Sequence, residues 1–569
     1  MRQFNKPSKA TVYTAVFLVA FLCAAAMIFW RCKFGFANID ESFYLTIPYR
    51  LTLGDALFKH EWNLAQMAGF ILYPFFEIYV RLNGGLSGVV LHFRYLCAAI
   101  QCAAALFIFY RLRRISLLGA AAAALSFLLY IPFNVFALSY NSMCIMALSL
   151  AGVILLTAEN YRRLQYTAAG LCFALSVLCC PYLVLLYLIY ALCFVIKAVP
   201  RGRAGIKSDF GEKFLFVTLG CIITALIFLL FVLSRASVRD ILLALPGMLD
   251  DPQHQNTSVF QKIYLYLSEI FYFRGIINRL SYLAIAALLL LCGLDRKRAE
   301  RRYLYFALAA LLAISLMRIH ISENYSNFLM WPINILGPFL FLLSDNRKLR
   351  QIFHTIWVPG MIYTFCSHLA SNQGIFAIFS SAAVPLLGSI LMLCIFAAEA
   401  MEQLPTGRGR VLLCVLTAFM LSVQIGAEAY QRYSKVFWSG GLEAQTEAIE
   451  HGSHKGLMVA ADSYRIYCGK LEALERLKDY DARRLLYLST DSWLYLNGGY
   501  EFGCYSSWPA GIDEATLARY ESYYSLNPEK MPDAVFADSE HREIAEKFCR
   551  MFSYSMDEYD NCLILTPMK

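Results

Sequence analysis

The chain has 569 residues, of which 59% are hydrophobic and only 16% charged, with a mean hydropathy of +0.52. A soluble domain carries about 45–50% apolar and ~25% charged residues, so a disordered chain, a collagen, a secreted disulfide scaffold and a conventional cytosolic enzyme are all excluded. The net charge of +9 sits in short connections between long apolar runs, which is the pattern that orients a polytopic membrane protein and calls for no nucleic acid partner.

The first apolar run, Val12–Trp30, follows Arg2, Lys6 and Lys9. It is longer than a signal-peptide core and lacks a small-residue cleavage pattern, so it reads as a span entering from the cytoplasm. Spans are expected near 11–30, 86–110, 115–133, 139–157, 164–180, 181–196, 214–233, 277–294, 303–317, 325–344, 352–368, 374–398 and 411–429, about 13 in all. The stretch from Leu164 to Ile196 is uncharged and too long for one crossing, and Pro181 interrupts it. Both of its ends are basic, so a helical hairpin turning at Cys180-Pro181 is expected. Basic residues then fall on one side: Arg111 to Arg114, Arg162-Arg163, Lys197 to Lys213, Arg296 to Arg302, Arg347 to Arg350, and Arg408 with Arg410. The four short connections on the other side carry Arg318 alone. An odd number of spans places the C-terminal segment outside the cytoplasm.

Residues 31–85 and 235–276 read as large external loops, and 431–569 as a small extracytoplasmic α/β domain. In that domain Gly456–Ala461, Leu485–Leu488, Ala534–Ala537 and Cys562–Thr566 are strand-like. Leu471–Leu477, Glu514–Tyr524 and Arg542–Met551 are helical. The 18 cysteines lie mostly in apolar runs as small buried residues. Cys468, Cys504, Cys549 and Cys562 in the tail have no pairing that the sequence specifies.

Chemistry is concentrated where span one ends. Asn38-Ile-Asp-Glu-Ser-Phe-Tyr44 sets two adjacent carboxylates, Asp40 and Glu41, at the outer membrane surface with Tyr44 three residues on. A solvated loop start is the plain alternative. An acidic pair just past a first transmembrane helix, then a long loop and many more spans, resembles the C-type glycosyltransferases. The parallels are the protein O-mannosyltransferases and the lipid A aminoarabinose transferases. The resemblance covers most of 1–430, and its residue-level motif is short. It implies a GT-C-like fold, Asp40 as the catalytic carboxylate with Glu41 beside it, and a polyprenyl-phosphate sugar as donor co-substrate.

Such a transfer needs one carboxylate to orient or deprotonate the acceptor and cations to hold the departing phosphate. Candidates for the phosphate are Arg94, Lys262, Arg274, Arg279 and Arg318. Arg318 leads, because it is alone among the short external connections; snorkelling at the interface is the alternative for each. His320 and Glu323 are candidates for the acceptor pocket, and Asn141 for orienting substrate or capping span four. A divalent metal is a candidate at Asp250-Asp251-Pro-Gln-His254, although Pro252 breaks any helical ligand spacing. The tail carries neither a dinucleotide fingerprint nor a P-loop. The competing reading is a transporter or flippase of lipid-linked saccharides. Its marks would be internal symmetry and ionisable residues at mid-membrane; the spans are almost free of charge. A membrane scaffold whose tail binds a partner is a third.

Overall fold

The computed structural model describes residues 9–568 except 37–39, 198–199, 201–206, 251–257, 274, 322–325, 406, 437–439, 510 and 560–561. Every expected span falls on helix, from Lys9–Arg31 through Val89–Leu112 and Tyr140–Thr157 to Ala383–Gln403 and Arg408–Ser434. Among the described residues, eight helices are long and apolar enough to cross a membrane, and Pro181–Lys197 and Phe328–Leu343 are shorter apolar helices. The run at 164–196 does break at Pro181: one helix ends at Cys179, Pro181–Leu183 forms a 3-10 turn, and Val184–Lys197 continues. Proline has no N–H to give and clashes with the preceding turn, so the helix stops there.

The two large loops are helical, not open chain. Residues 31–85 contain Asp40–Thr52 and Met67–Asn83, and 235–276 contain Val238–Leu249 and Val259–Tyr272. Their apolar residues recur at helical spacing, but their polar content is too high for a span. The helices Arg162–Cys179 and Asp209–Leu233 cross at Gly170 and Gly220, where a Cβ on either would lie 2.1 Å from the other helix's backbone. Small residues allow that approach.

Contacts between helix ends sort the connections into two faces. On one, Arg114 pairs with Glu159 at 2.8 Å, Arg163 with Glu212 at 2.7 Å, and Tyr303 meets Gln403 at 3.0 Å. On the other, Lys262 reaches Asn372 at 3.3 Å, and Tyr44 meets Tyr140 at a ring separation of 5.7 Å. The basic connections occupy the first face.

The tail builds a five-stranded sheet in the order β4-β3-β5-β7-β6: β3 is Arg484–Leu488, β4 Glu501–Phe502, β5 Ala534–Asp538, β6 Tyr554–Tyr559 and β7 Cys562–Pro567. β3 runs parallel to β4 and β5, and β7 antiparallel to β5 and β6. The sequence reading lacks β4 and β6. β4 is two residues long, and β6 (Tyr-Ser-Met-Asp-Glu-Tyr) is a polar edge strand without an apolar stripe. The strand-like segment at 456–461 belongs to a separate pair, β1 (Glu447–Ala448) with β2 (Met458–Val459). That pair is extended by the chain leaving span one, since Met458 N–H donates to Lys33 O at 2.7 Å and Gly35 N–H to Met458 O at 2.8 Å.

Candidate active site

Asp40 is the first residue of the helix Asp40–Thr52, where a carboxylate suits the positive end of the helix dipole. Beneath the tail, this helix is held from behind. Thr46 hydrogen-bonds Ser507, Phe43 lies 4.8 Å from the Trp508 ring, and Tyr49 5.7 Å from Phe502. Further along the loop, Arg50 is buried with its Nε 2.8 Å from Asp55, Nη1 2.6 Å from Glu61 and Nη2 3.0 Å from Cys504 O. Lys530 of the tail pairs with the same Asp55. Burial opposes charge on Asp55, but Arg50 and then Lys530 outweigh it and hold its pKa below the ordinary carboxylate value. Loop and tail are therefore joined by a dry ionic junction, none of whose members the sequence reading singled out. The available signal was Arg50, Asp55 and Glu61 crowded into one short segment.

The two members of the acidic pair face different surroundings. Glu41 is 1% exposed and receives Arg94 on both oxygens, each at 2.6 Å. The remaining Arg94 donors go to the carbonyls of Cys32, Phe34 and Gly35 at 2.9–3.2 Å. All five guanidinium N–H groups are thus used. Arg94, expected to hold a donor phosphate, here ties span two to the chain leaving span one. Glu41, expected beside the catalytic carboxylate, is held by Arg94 at the start of the loop.

Asp40 is only partly buried, and among the described residues no cation is paired with it. Burial raises its pKa above the ordinary carboxylate value. Tyr44 lies one helical turn on. Burial pushes its phenol well above 10, with Tyr140 and Asp40 adding to the rise. Tyr140 opens the helix Tyr140–Thr157, and Ser139 caps that helix by accepting from Ser142 N–H at 3.0 Å. Capping is therefore not the task of Asn141, which sits half-buried beside Tyr140. The turn before it holds Phe133 and Asn134 at φ 55° and 59°. Positive φ in non-glycine residues persists only where surrounding structure fixes it.

The remaining candidates are spread more widely. Arg318 is exposed near the end of its helix, Arg302–Ile321, and His320 lies in the last turn of that helix. Arg274, Glu323, Asp251 and His254 lie outside the described residues. Lys262 reaches Ser371 O and Asn372 Oδ1 at 3.4 and 3.3 Å, and Arg279 stacks 4.2 Å over Tyr272. Asp538, Glu540 and His541 offer ligand atoms within 4.8 Å of one another at the end of β5. Asp538 is already 2.7 Å from Lys470, and this group belongs to the tail sheet, not to the surroundings of Asp40.

The fold is similar to solved membrane proteins at low sequence identity. The Archaeoglobus fulgidus oligosaccharyltransferase AglB, in complex with an inhibitory peptide and a dolichol-phosphate, aligns with a TM-score of 0.42 and 12% identity, over 93% of this chain and 70% of that one. ArnT from Cupriavidus metallidurans bound to undecaprenyl phosphate gives 0.42 and 11%, over 98% and 97%. The Archaeoglobus oligosaccharyltransferase tethered with an acceptor peptide gives 0.45 and 10%, over 97% and 74%. No family model and no curated protein matches the sequence.

Proposed function

We propose that this protein is an integral membrane glycosyltransferase. It takes a sugar from a polyprenyl-phosphate donor and passes it, with inversion, to an extracytoplasmic glycan, lipid or protein acceptor. The observation that carries the reading is the split within the acidic pair: Glu41 is neutralised by Arg94, whereas Asp40 is paired with no cation among the described residues and lies beside two phenols at a helix N-terminus. A carboxylate in that position, raised in pKa by burial, suits a group that accepts a proton from an incoming nucleophile.

In this reading Asp40 orients and deprotonates the acceptor hydroxyl or amine as it attacks the anomeric carbon. The bond from that carbon to the phosphate oxygen breaks, and the phosphate leaves as an anion with no need of protonation. Tyr44, Tyr140 and Asn141 supply hydroxyl and amide groups around the reacting centre. Arg318, with Arg274, Lys262 and Arg279 around the second loop, supplies cations for the leaving phosphate. His320 and Glu323 belong to the acceptor side. The module 1–430 carries the reaction, and 431–569 holds the Asp40 helix in place from outside the membrane, the N-terminus being cytoplasmic.

The test is purified protein in lipid, offered a panel of polyprenyl-phosphate sugars with an acceptor extract and scored for transfer and donor hydrolysis. Equal transfer by wild type and Asp40→Asn sinks the reading and moves a lipid-saccharide transporter ahead of it.

A further inference from the structure

A cavity of about 520 Å³ opens on the face opposite Asp40, in the half of the bundle that carries the basic connections. Its wall is made by six helical segments and is apolar, with Leu148, Phe173, Leu186, Phe214, Ile356 and Val384 among its lining. At its mouth stand Lys197, Lys213 and His354, opposed by a single carboxylate, Asp209, which is 2.8 Å from Lys213. The mouth is therefore cationic and the interior apolar.

The wall is fixed. Residues Phe353–Trp357 form a π-helical turn, a feature that marks functional sites more often than ordinary helix does. Trp357 anchors it, donating from Nε1 to Asn334 O at 3.0 Å and lying against Gly337, where a Cβ would come within 2.3 Å of the indole. Tyr190 closes the other side by donating to His354 O at 2.7 Å. This anchoring presents Thr355 and Ile356 to the cavity and keeps His354 at its rim. The volume is that of a pocket for one small amphiphile or one chain of a larger one.

We infer that this cavity is a site for one anionic two-chain glycerophospholipid of the cytoplasmic leaflet. An acyl chain fills the apolar interior, and the phosphate lies against Lys197 and Lys213. Basic pockets between transmembrane helices on the cytoplasmic side recognise anionic headgroups by this combination of charge and shape. A zwitterionic lipid fills the same volume but gains little from the lysines, so headgroup charge decides between them.

The test is native mass spectrometry of the full chain, delipidated in detergent and titrated with dioleoyl-phosphatidylglycerol, dioleoyl-phosphatidylcholine or undecaprenyl phosphate. Wild type should retain phosphatidylglycerol about tenfold more strongly than phosphatidylcholine. Lys197→Glu/Lys213→Glu should bring the two lipids level, and Lys197→Gln/Lys213→Gln should do the same if charge reversal impairs folding. Cys193→Trp, which puts an indole into the cavity, should lower retention of both phospholipids. Equal retention of the two by wild type, unchanged phosphatidylglycerol retention in the lysine variants, or displacement of phosphatidylglycerol by equimolar undecaprenyl phosphate overturns the assignment. The readout is lipid retention, which is independent of transfer activity.

Discussion

Arg94 meets Glu41 through two parallel hydrogen bonds of 2.6 Å, and the pair is buried at the point where span two passes the chain leaving span one. Among the described residues, its neighbour Asp40 has no such partner. A buried pair is costly to break from one side, because the remaining charge is stranded. Arg94→Ala should therefore destabilise the fold by about 3–5 kcal/mol, seen as a lower unfolding temperature in detergent. Glu41→Gln keeps one acceptor for Arg94 and should lose less. An unfolding temperature unchanged in Arg94→Ala would mean that the pair contributes nothing to the loop.

Asp40→Asn should leave expression and unfolding temperature near wild type, since the side chain is part-exposed and unpaired among the described residues. Transfer should fall by ~10²–10⁴-fold, the range for a general base or orienting carboxylate. Because burial raises the Asp40 pKa, the acid limb of the kcat/KM profile should lie above the ordinary carboxylate range, activity being lost as pH drops through that raised value. A profile flat down to the ordinary range would assign the proton acceptor elsewhere.

In the proposed reading, Arg318 is the leading cation for the donor phosphate. Arg318→Ala should weaken donor use by about 1.5–3 kcal/mol, the scale of a hydrogen bond to a charged group. Lysine should restore only part, because it lacks the bidentate fork. Unchanged donor kinetics would hand this task to Arg274, Arg279 or Lys262.

The junction between loop and tail should be sensitive to acid through His60. Its Nδ1 accepts from Ala56 N–H at 3.1 Å, an arrangement only the neutral ring can make on that nitrogen. Burial, which outweighs the pull of Asp55, lowers its pKa to about 4. Between that value and about 6.5, the unfolded chain holds a proton that the folded chain refuses, so stability rises with pH across this window and is lost on acidification. The effect should not exceed about 3.4 kcal/mol, and His60→Gln should flatten it. Thermal midpoints measured from pH 4 to 7 give the comparison; identical slopes in the two proteins would exclude His60 as the source.

A reporter fused at residue 440 should behave as exported. The tail shares hydrogen bonds with residues 33–35, just past span one, so both must lie on one side of the membrane. Cytoplasmic behaviour of the fusion would invert the whole arrangement.

Much of the architecture was legible because a bilayer imposes a coarse code. Uncharged runs of fixed length become helices, and the basic residues between them divide the connections into two sets, as Arg114 with Glu159 and Arg163 with Glu212 later do in space. The strands with continuous apolar runs, such as Ala534–Asp538, were legible for the same reason. Asp40 and Glu41, however, are chemically near-identical neighbours, and nothing in their order says which is neutralised. That depended on Arg94, 53 positions beyond Glu41, arriving beside one carboxylate and not the other. The Arg50, Asp55, Glu61 and Lys530 junction is of the same kind, since its partners are separated by up to 475 positions. Hydrophobic length and charge sign act locally along a chain, so the apolar helices, the grouping of the basic connections and the acidic motif were legible in the sequence alone. Which charges are paired in a dry interior is settled only when distant segments pack together, and that decision belonged to the tertiary structure.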